Sequence, residues 1–597
     1  MHTAKKILYM LSPHERKQAG LLLVMILIMA LLDTIGVASI LPFMAVLASP
    51  DLIETNMILN KMFQTSKIFG VENNKQFLIA LGILVIAMLV ISLSFKALTT
   101  YLQTRFIVMR EYSVGKRLLE GYLNHPYSWF LNRHSSDLGK NILSEASQIA
   151  GNGLGPLLTI ISCGLVTIAI IVLLIIADPK LTLIVGCSLS LIYALIYKFT
   201  QKFVNKFGKE HLESNQLRFR AVNEAFGAVK EIKVAGIEQI YIKRFSNPAE
   251  TLGRSQAYGS AIEQLPRFIL EIMAFGGIML MLLYLMTQTS SFNNILPIIS
   301  LYVFAGYRLI PALQQIYSSL TKLRFSIPAL NLLYNDLKNI KPSNFKEARG
   351  TLSLNKMVNL KNINYNYPNA EHAALKNINI NISAKTTVGL VGATGSGKTT
   401  MVDIILGLIE AQKGTLEVDG KVVTKQNARS WRRSIGYVPQ NIFLSDDTIM
   451  ANIAFGVDIK DINQQAVEKV AKIANLHSFV IDELPKQYHT KIGERGVRLS
   501  GGQRQRIGIA RALYHNPQVL IFDEATSALD NQTEKAVMDA VNNLDKEITI
   551  ILIAHRLSTV KKCDNIFFLE NGELKAQGDF NELVKINKNF RSMASNY

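Results

Sequence analysis

Residues 387–400 read TVGLVGATGSGKTT, and they give the clearest indication of the fold in the second half of the chain. Residues 387–391 predict a β-strand, residues 392–399 match the pattern GxxxxGKT, and an apolar helical stretch then runs to Leu408. A strand, a glycine-rich loop and a helix in this order are typical of a phosphate-binding loop. The sequence therefore predicts a nucleotide-binding domain in this half.

The predicted loop suits phosphate because its glycines let backbone N–H groups converge on phosphate oxygens, and the following helix adds its N-terminal dipole. Lys398 is expected to neutralise the β- and γ-phosphate oxygens, and Thr399 to ligate Mg²⁺. ATP and Mg²⁺ are therefore the expected cofactors. The predicted nucleotide contacts in this loop are Gly392, Ala393, Thr394, Gly395, Ser396, Gly397, Lys398, Thr399 and Thr400.

Two acidic residues follow an apolar run further along the chain. Residues 519–522 predict a buried strand that ends in Asp523 and Glu524. We expect Asp523 to hold Mg²⁺, directly or through water, and Glu524 to polarise the attacking water. The short apolar runs after residue 340 alternate with polar helices, which predicts an α/β domain with buried parallel strands.

The composition indicates two unlike halves. The chain has 597 residues, of which 49% are hydrophobic, yet its formal net charge is +19. A basic chain can bind nucleic acid, but the apolar content favours a membrane, and we expect no nucleic-acid partner. The cysteines Cys163, Cys187 and Cys563 lie far apart without a CxxC pair, which argues against a disulfide scaffold and a zinc knuckle.

Six apolar stretches before residue 320 are each close to or above the roughly 20 residues that span a bilayer. The first one is too long for the core of a signal peptide, so we expect a retained anchor. Six spans place both ends of this half on the same side of the membrane. The predicted spans are residues 21–47, 77–96, 154–177, 181–197, 268–286 and 295–316.

The distribution of basic residues orients these spans. The N-terminus and the alternate connections 100–149 and 198–265 carry 21 Lys and Arg residues, whereas the other connections carry 4. Basic residues concentrate on the cytosolic side of membrane proteins, so the termini are expected to be cytosolic. The two long cytosolic connections have few Gly or Pro residues and predict helical stalks, with turns near residues 124–126 and at Gly227.

One outside connection differs from the rest. Apolar residues recur at near-helical spacing within residues 49–75. This spacing predicts a short amphipathic helix on the outer surface, and a loop packed on the helical bundle is the alternative.

Residues 499–503 read LSGGQ, and with this string the chain resembles an ATP-binding cassette (ABC) transporter. The resemblance covers about residues 350–590, and the six-span half resembles the type IV exporters of that family. It implies that Tyr367 stacks on adenine, that Gln440 contributes to catalysis and to the Mg²⁺ site, and that His555 acts in hydrolysis beside Glu524. Other matching positions are Glu494 before the signature and residues 527–530, which include the nucleotide contact Asp530.

The resemblance also implies a dimer. In the family, the residues matching Ser500, Gly501, Gly502 and Gln503 contact the γ-phosphate of ATP bound by the opposite subunit. One chain carries one copy of each motif, so two chains would complete two sites. A homodimer is expected, and a heterodimer with a second half-transporter remains the alternative.

These observations predict a multidomain protein. The expected fold is an all-α transmembrane domain with six helices, followed by an α/β P-loop ATPase domain of the ABC type. The expected boundaries are residues 1–325 for the transmembrane domain, 326–349 for a linker and 350–597 for the ATP-binding domain.

Charged residues within the predicted spans are candidates for substrate binding, because charge is costly inside a membrane. Asp33 lies near the middle of the first span and Arg308 lies well inside the sixth. Arg308 either lines a substrate cavity or pairs with a residue such as Asp33. Lys96 is expected to extend to the cytosolic interface, and Arg267 and Glu271 to pair with each other one helical turn apart.

A second resemblance concerns the cargo. Residues 307–311, residues 34–43 and the outside segment resemble the lipid-linked oligosaccharide flippases of bacterial N-glycosylation and their relatives in surface-polysaccharide synthesis. It implies a bacterial cytoplasmic membrane protein that flips a polyprenyl-pyrophosphate glycolipid, with Arg308 at the pyrophosphate and the outside helix at the lipid tail. The alternatives are a lipid A or phospholipid flippase, a peptide or drug exporter, and a membrane-anchored ATPase that moves nothing.

Overall fold

The computed structural model divides the chain into two compact units. The first comprises residues 1–125 and 132–343, and the second comprises residues 126–131 and 344–597. The structure describes residues 2–48, 50–68, 70–177, 179–287, 292–340, 350–368, 370–493, 496–524, 531–542, 548–554 and 557–595.

The first unit is helical throughout the part that is described. Two short π-helical segments, Asn141–Glu145 and Ala150–Leu154, flank α9. The helices are α1 (His2–Met10), α2 (Pro13–Ala38), α3 (Ile40–Ala48), α4 (Leu52–Thr55), α5 (Met57–Lys67), α6 (Asn74–Leu123), α8 (Ser135–Lys140), α9 (Ala146–Ile149), α10 (Gly155–Ala177), α11 (Pro179–Gly227), α12 (Val229–Ala235), α13 (Glu238–Thr287), α14 (Phe292–Phe325) and α15 (Ile327–Asn339). The helix α7 (Tyr127–Phe130) belongs to the second unit.

The start of α2 illustrates how local sequence places a membrane helix. Ser12 precedes the helix, and its Oγ accepts a hydrogen bond of 3.3 Å from the backbone N–H of Glu15. The backbone N–H of Ser12 donates in return to Oε2 of Glu15 at 2.7 Å. This reciprocal cap satisfies donors that the first helical turn leaves free, and Pro13 suits the first helical position.

Three stretches of the described residues are long and apolar enough to cross a membrane. They are Pro13–Leu47, Asn74–Leu123 and Ser135–Ile176, and they cover the first two predicted spans and all but Ala177 of the third. The other three predicted spans fall on α11, α13 and α14, where many side chains lie outside the described residues.

The long helices extend well beyond a bilayer. At about 1.5 Å per residue, the 50 residues of α6 extend for about 75 Å, against roughly 30 Å of hydrocarbon. The predicted helical stalks are therefore present, and the first of them ends at Leu123, directly before the predicted turn.

The outside segment forms α4 and α5 rather than a loop. Leu59 of α5 is buried in an apolar cluster with Val46, Phe77 and Leu81, and Met62 and Phe63 pack at its edge. Met57 and Ile58, by contrast, are 87% and 69% exposed. The segment thus has the predicted helix, and one of its faces packs on the bundle.

The predicted linker, residues 326–349, contains a helix. Within it, α15 buries the apolar residues Ala329, Leu330, Leu333 and Leu337. This helix clusters with the first unit, and residues 341–349 lie outside the described residues.

The second unit has the predicted α/β character. Its strands are β1 (Met357–Tyr365), β2 (Leu375–Ser383), β3 (Thr387–Gly392), β4 (Lys413–Val418), β5 (Lys421–Val422), β6 (Ile435–Val438), β7 (Val519–Asp523), β8 (Thr549–Ile553), β9 (Asn565–Glu570) and β10 (Glu573–Gly578). Its helices after α7 are α16 (Lys398–Ile405), α17 (Ala428–Arg432), α18 (Ile449–Ile453), α19 (Gln464–Ile473), α20 (Gly501–Tyr514), α21 (Asn531–Asn542), α22 (Leu557–Val560), α23 (Phe580–Ile586) and α24 (Lys588–Ser595).

Two sheets position the site. The antiparallel sheet has the order β2-β1-β4-β5, and the larger sheet has the order β10-β9-β3-β8-β7-β6. From β9 to β6 the strands are parallel, and β10 is antiparallel at the edge. Every residue of β7 and β8 is buried, as expected for parallel strands covered on both faces.

The carboxyl ends of parallel strands meet at one edge of a sheet, where ligands of α/β proteins bind. At this edge β3 ends in the phosphate loop, β7 ends in Asp523, and β6 ends two residues before Gln440. The strand order therefore brings together three motifs that are distant in sequence.

Candidate nucleotide site and membrane charge cluster

The phosphate loop connects β3 to α16 as predicted. Its residues Ala393, Thr394, Gly395 and Thr399 are exposed, so the mouth of the loop is open to a ligand. Gly397 has a φ of 100°, and a Cβ at this position would lie 2.6 Å from the carbonyl oxygen of Ala374. Only glycine fits both this conformation and this close approach.

Lys398 lies at the base of the loop. Its Nζ donates hydrogen bonds of 2.8 Å and 3.0 Å to the carbonyl oxygens of Gly392 and Ala393. Burial lowers the pKa of Lys398, while the charges of Glu524 and Asp523 oppose this shift. Lys398 is thus a buried cation near the carboxylates of Asp523 and Glu524. A phosphate could replace the two carbonyl oxygens as its hydrogen-bond acceptor.

The predicted adenine-stacking residue lies near the same helix. The hydroxyl of Tyr367 is 3.2 Å from Oγ1 of Thr400, within hydrogen-bonding distance. The ring of Tyr367 also packs edge-on against Tyr365, with 5.1 Å between the ring centroids. The structure therefore brings Tyr367 beside the end of the phosphate loop.

Asp523 lies at the end of β7, next to β6. It is buried, and its Oδ2 accepts a hydrogen bond of 3.1 Å from the hydroxyl of Tyr437 on β6. Tyr437 was not among the residues predicted from the sequence. Its position three residues before Gln440 is the signal that could have located it.

Glu524 and Gln440 contact each other. Gln440 Nε2 donates to Glu524 Oε2 at 2.7 Å, and the backbone N–H of Glu524 donates to the carbonyl of Ile553 at 3.2 Å. Glu524 has a φ of 52°, a left-handed conformation that is uncommon for a residue with a side chain. Such conformations cluster at functional sites, where the surrounding structure holds them.

Mg²⁺ prefers oxygen ligands, and the chain offers them at this edge. Asp523 ends β7, and Thr399 lies in the first turn of α16, which follows β3 of the same sheet. Gln440, which has an amide oxygen, lies two residues after the end of β6. Ser396 adds a buried Oγ that has no hydrogen-bond partner within the described residues. This donor set fits a nucleotide with its Mg²⁺.

Two further groups near the site are not among the predicted site residues. Burial, with the charge of Asp523 adding to it, raises the pKa of Asp403 on α16 to about 6. Burial also raises the pKa of Tyr127 on α7, and the charges of Asp403 and Tyr367 add to that shift. Within the second unit, α7 therefore lies close to the nucleotide edge of the sheet.

The signature residues form the start of α20. Ser500 Oγ accepts from the backbone N–H of Gln503 at 3.2 Å, and Ser500 N–H donates to Gln503 Oε1 at 2.8 Å. This capping box orders the helix N-terminus, with Gly501 and Gly502 in its first turn. Small side chains and free N–H groups at a helix N-terminus suit an anion. The predicted residues Glu494, Asp530 and His555 lie outside the described residues.

The membrane domain holds a buried charge cluster. The side chain of Asp33 is 1% exposed, and its Oδ1 accepts hydrogen bonds from Ser92 Oγ at 2.7 Å and from Arg308 Nη1 at 3.0 Å. Lys96 Nζ lies 3.6 Å from the other carboxylate oxygen, Oδ2. Of the two alternatives for Arg308, the structure shows the pairing with Asp33, and its side chain remains 16% exposed.

Two other expectations concern membrane charges. Lys96 Nζ lies 3.6 Å from Asp33 Oδ2 while its side chain is 45% exposed, and the expectation that it extends to the cytosolic interface stays a prediction. Arg267 and Glu271 do pair, with 2.8 Å between Nε and Oε1, which confirms the expected contact.

Comparisons with known proteins agree with this architecture. A family model described as ABC transporter matches residues 375–527, and one described as ABC transporter transmembrane region matches residues 21–309. An ATP-dependent lipid A-core flippase of Cupriavidus metallidurans is 30% identical over 474 residues, which cover 78% of each chain. The heterocyst differentiation ATP-binding protein HepA of Nostoc is 31% identical and covers 79% of this chain and 76% of its own length.

A solved structure supports the same fold. A bacterial Atm1-family ABC exporter with ATP bound superposes with a TM-score of 0.78, at 21% identity, and covers 97% of this chain and 98% of its own. The chain therefore belongs to the ABC transporters, which confirms the family expected from the sequence. It is a multi-pass membrane protein with the fold of the type IV exporters, and its nucleotide-binding domain hydrolyses ATP in a reaction coupled to transport.

Proposed function

We propose that this transporter flips a glycolipid with an anionic headgroup from the inner to the outer leaflet of a bacterial cytoplasmic membrane. The expected cargo is a polyprenyl-pyrophosphate-linked oligosaccharide, and the ATPase domain lies in the cytosol. The observation that carries this proposal is the charge cluster, in which two cations, Arg308 and Lys96, surround the single carboxylate of Asp33.

The charge balance of this cluster favours an anionic ligand. A charged group inside a membrane is costly unless it is paired. Here two cations share one carboxylate, so the cluster has one positive charge more than it has negative charges. The side chain of Lys96 is 45% exposed, so it can still reach a second anion. Arg308, predicted from the sequence as the substrate residue, would hold Asp33 and leave Lys96 available for a phosphate oxygen.

Lipid A is the second candidate cargo. This candidate is supported by several relatives that are ATP-dependent lipid A-core flippases. Their sequence identity to this chain is about the same as that of the other relatives. Lipid A also has an anionic headgroup, so the charge cluster suits either lipid. Nothing in the described residues favours a peptide or a drug.

We also propose the roles of the nucleotide residues. Lys398 and the backbone of residues 392–400 would hold the ATP phosphates, while Tyr367 stacks on adenine. Thr399, Gln440 and Asp523 would hold Mg²⁺, which supplies neutralisation of the phosphate charge when bound.

Hydrolysis needs a positioned base. Glu524 would orient and deprotonate the attacking water, because its carboxylate is held by Gln440 at the edge where the phosphates bind. His555 is expected to assist it, and Asp530 to contact the nucleotide across the dimer.

A homodimer would complete the two nucleotide sites. Ser500, Gly501, Gly502 and Gln503 present an ordered helix N-terminus that would meet the γ-phosphate held by the partner chain. The alternative is a heterodimer with a second half-transporter.

The cargo is tested by reconstitution of the purified protein in liposomes that contain one labelled lipid at a time. The lipids are undecaprenyl pyrophosphate carrying an oligosaccharide, lipid A carrying its core, and phosphatidylethanolamine. We expect ATP-dependent movement of the pyrophosphate glycolipid, and none with the Glu524→Gln variant. Movement of lipid A alone would replace the proposed cargo, and movement of none of the three would refute a lipid cargo.

A further inference from the structure

The cytosolic part of the first unit contains a cavity of about 480 Å³, within the size range of ligand pockets. It is lined by residues of both π-helical segments, of α9 between them, and of α11, α13 and the end of α14. His211 is 14 residues beyond the fourth predicted span, which places the cavity about 20 Å from the membrane at 1.5 Å per residue. The residues that give it its chemistry are Ser147, Gln148, Asn152, Gln256, Phe219 and Phe325.

The lining is polar but carries no permanently charged side chain. Within the part of the chain that the structure describes, the side chains of Ser147, Gln148, Asn152 and Gln256 form no hydrogen bond. Hydroxyl and amide groups both donate and accept, so they match the hydroxyl groups of a sugar. Phe219 and Phe325 add aromatic faces, which can cover the apolar C–H face of a sugar ring.

His211 completes this lining as a neutral group. Its ring packs edge-on against Phe325, with 5.2 Å between the centroids, and its Nδ1 is buried without a hydrogen-bond partner among the described residues. Burial lowers the pKa of His211, and the charge of Arg218 lowers it further. At neutral pH the cavity therefore has no cation of its own to attract an anion.

A second cavity borders the first one and reaches the ends of two predicted spans. Its volume is about 320 Å³, and it shares Asn152 with the first cavity. It is lined also by Thr159, Gln315 and Lys322, at the cytosolic ends of the third and sixth predicted spans. Lys322 is paired there with Glu263 at 2.9 Å.

One face of α14 links these cavities to the charge cluster. Arg308, Gln315 and Lys322 are each seven residues apart, so they lie on the same face, two helical turns from one another. Gln315 Oε1 accepts a hydrogen bond of 3.0 Å from Cys163 Sγ. Gln315 and Lys322 line the second cavity, so this face of α14 carries polar side chains between Arg308 and the two cavities.

From this arrangement, we infer that the larger cavity binds uncharged sugar units of the cargo, at a distance from its phosphate. This inference rests on the proposed function and names the part of the glycolipid that the cavity recognises. A phosphate at the charge cluster or in the second cavity would leave the distal sugars of an oligosaccharide within reach of Gln148 and Gln256. A lipid with a single sugar would be too short to reach them.

The sugars that bind in this cavity can belong to either proposed cargo. Both an undecaprenyl-linked oligosaccharide and lipid A with its core carry sugars at a distance from their phosphates. A nucleotide or an acidic peptide fits less well, since the lining offers no unpaired cation. The shared chemistry is a glycan with several hydroxyl groups.

The test measures stimulation of ATP hydrolysis by the full-length protein in nanodiscs. The probes are undecaprenyl pyrophosphate with a linear oligosaccharide, the same lipid with one N-acetylglucosamine, and lipid A with and without its core. The variants are Gln148→Leu and Gln256→Leu, and the matched control is Gln264→Leu, which lies on the same helix as Gln256, is also exposed and lines neither cavity.

We expect each cavity variant to raise the half-maximal concentration of the stimulating oligosaccharide lipid about fivefold, the effect of losing one hydrogen bond. The response to the lipid with one sugar should stay as in the unmodified protein, which also shows that the variants fold. Gln264→Leu should respond normally to every probe.

Comparison among the lipids identifies the source, because only the lipid that is the cargo should lose potency when its distal sugars are absent. An unchanged response of both cavity variants to the oligosaccharide lipids would overturn the inference, and so would an equal change with the one-sugar lipid. If the unmodified protein responds to neither glycolipid, the proposed cargo fails and this inference fails with it.

Discussion

Gln440 and Glu524 are 84 residues apart in sequence, and a hydrogen bond of 2.7 Å joins Nε2 of Gln440 to Oε2 of Glu524. The contact exists because β6 and β7 are parallel neighbours whose carboxyl ends meet at one edge of the sheet. It holds the proposed base beside a proposed Mg²⁺ ligand. If the two residues have these proposed roles, one pair of side chains would couple Mg²⁺ coordination to activation of the attacking water.

Replacement of Glu524 by Gln should abolish steady ATP hydrolysis while ATP binding persists. The amide has the same shape but cannot accept a proton, and loss of a general base costs about 10²- to 10⁴-fold in rate. Phosphate release and nucleotide binding measure the two effects. Glu410→Gln is the control, since Glu410 is exposed and pairs with Lys425 away from the site. Normal turnover by the Glu524→Gln variant would show that Glu524 is not the base.

Mixing two inactive variants should restore ATP hydrolysis if the nucleotide sites are shared between chains. Lys398→Ala disables the phosphate loop, and Ser500→Arg blocks the signature end of α20. A mixed dimer then keeps one site with an intact Lys398 from one chain and an intact Ser500 from the other. Turnover of the co-expressed pair measures this, and complete inactivity of purified mixed dimers would contradict the shared site.

Asp33→Asn should lower the thermal stability of the membrane domain. The substitution leaves Arg308 and Lys96 without their carboxylate, and removal of one partner of a buried pair costs about 3 to 5 kcal/mol. The double variant Asp33→Asn with Arg308→Gln should be less destabilised than Asp33→Asn alone, because it removes the unpaired cation as well. Thermal unfolding in detergent compares them, and additive losses would show that the pair is not coupled.

The pKa of Asp403 should make stability depend on pH. This pKa is raised from 3.8 to about 6, so between these values the folded protein binds the proton more strongly than the unfolded chain does. The free energy of unfolding should therefore fall as pH rises from about 4 to about 6 and stay lower above that.

Asp403→Asn should remove this loss. Because Asp403 is only half-buried and solvent screens its charge, we expect a gain of about 1 kcal/mol near neutral pH and little change near pH 4. Denaturant unfolding at both pH values tests the sign. A variant that is less stable near neutral pH would show that the charged carboxylate is favourable in the folded protein.

Gly397→Ala should weaken ATP binding and destabilise the second unit. Its φ of 100° is left-handed, and the new Cβ would meet the carbonyl oxygen of Ala374 at 2.6 Å. Gly420→Ala is the matched control, because Gly420 also has a positive φ, of 78°, but a Cβ added there would have no atom within 4 Å. A left-handed alanine costs about 1 to 2 kcal/mol, so a larger loss at Gly397 than at Gly420 isolates the steric part.

Much of the nucleotide site could be predicted because its motifs are local. A phosphate loop needs a strand, glycines, a lysine and a helix within about a dozen neighbouring residues, and all of these are contiguous between Thr387 and Thr400. The cap that Ser500 makes with Gln503 is likewise a contact between residues three positions apart. Such contacts follow from the backbone geometry of one element.

Tyr437 and Asp403 could not be found in the same way. Tyr437 reaches Asp523 because β6 lies beside β7, and the pKa of Asp403 is raised because the folded sheet buries its helix. Neither residue belongs to a contiguous motif. Burial and strand order, which set their environment, are properties of the assembled domain.

The motifs and apolar stretches along the chain were enough to predict nucleotide binding, insertion into a membrane and membership of the ABC transporters. The folded structure was needed to show that Arg308 pairs with Asp33, 275 residues away, and that Lys96 lies beside the same carboxylate. The lengths of the apolar stretches and the local motifs can be read from consecutive residues, because each depends on one segment of the chain. The partner of a buried charge depends instead on which faces of α2, α6 and α14 pack together.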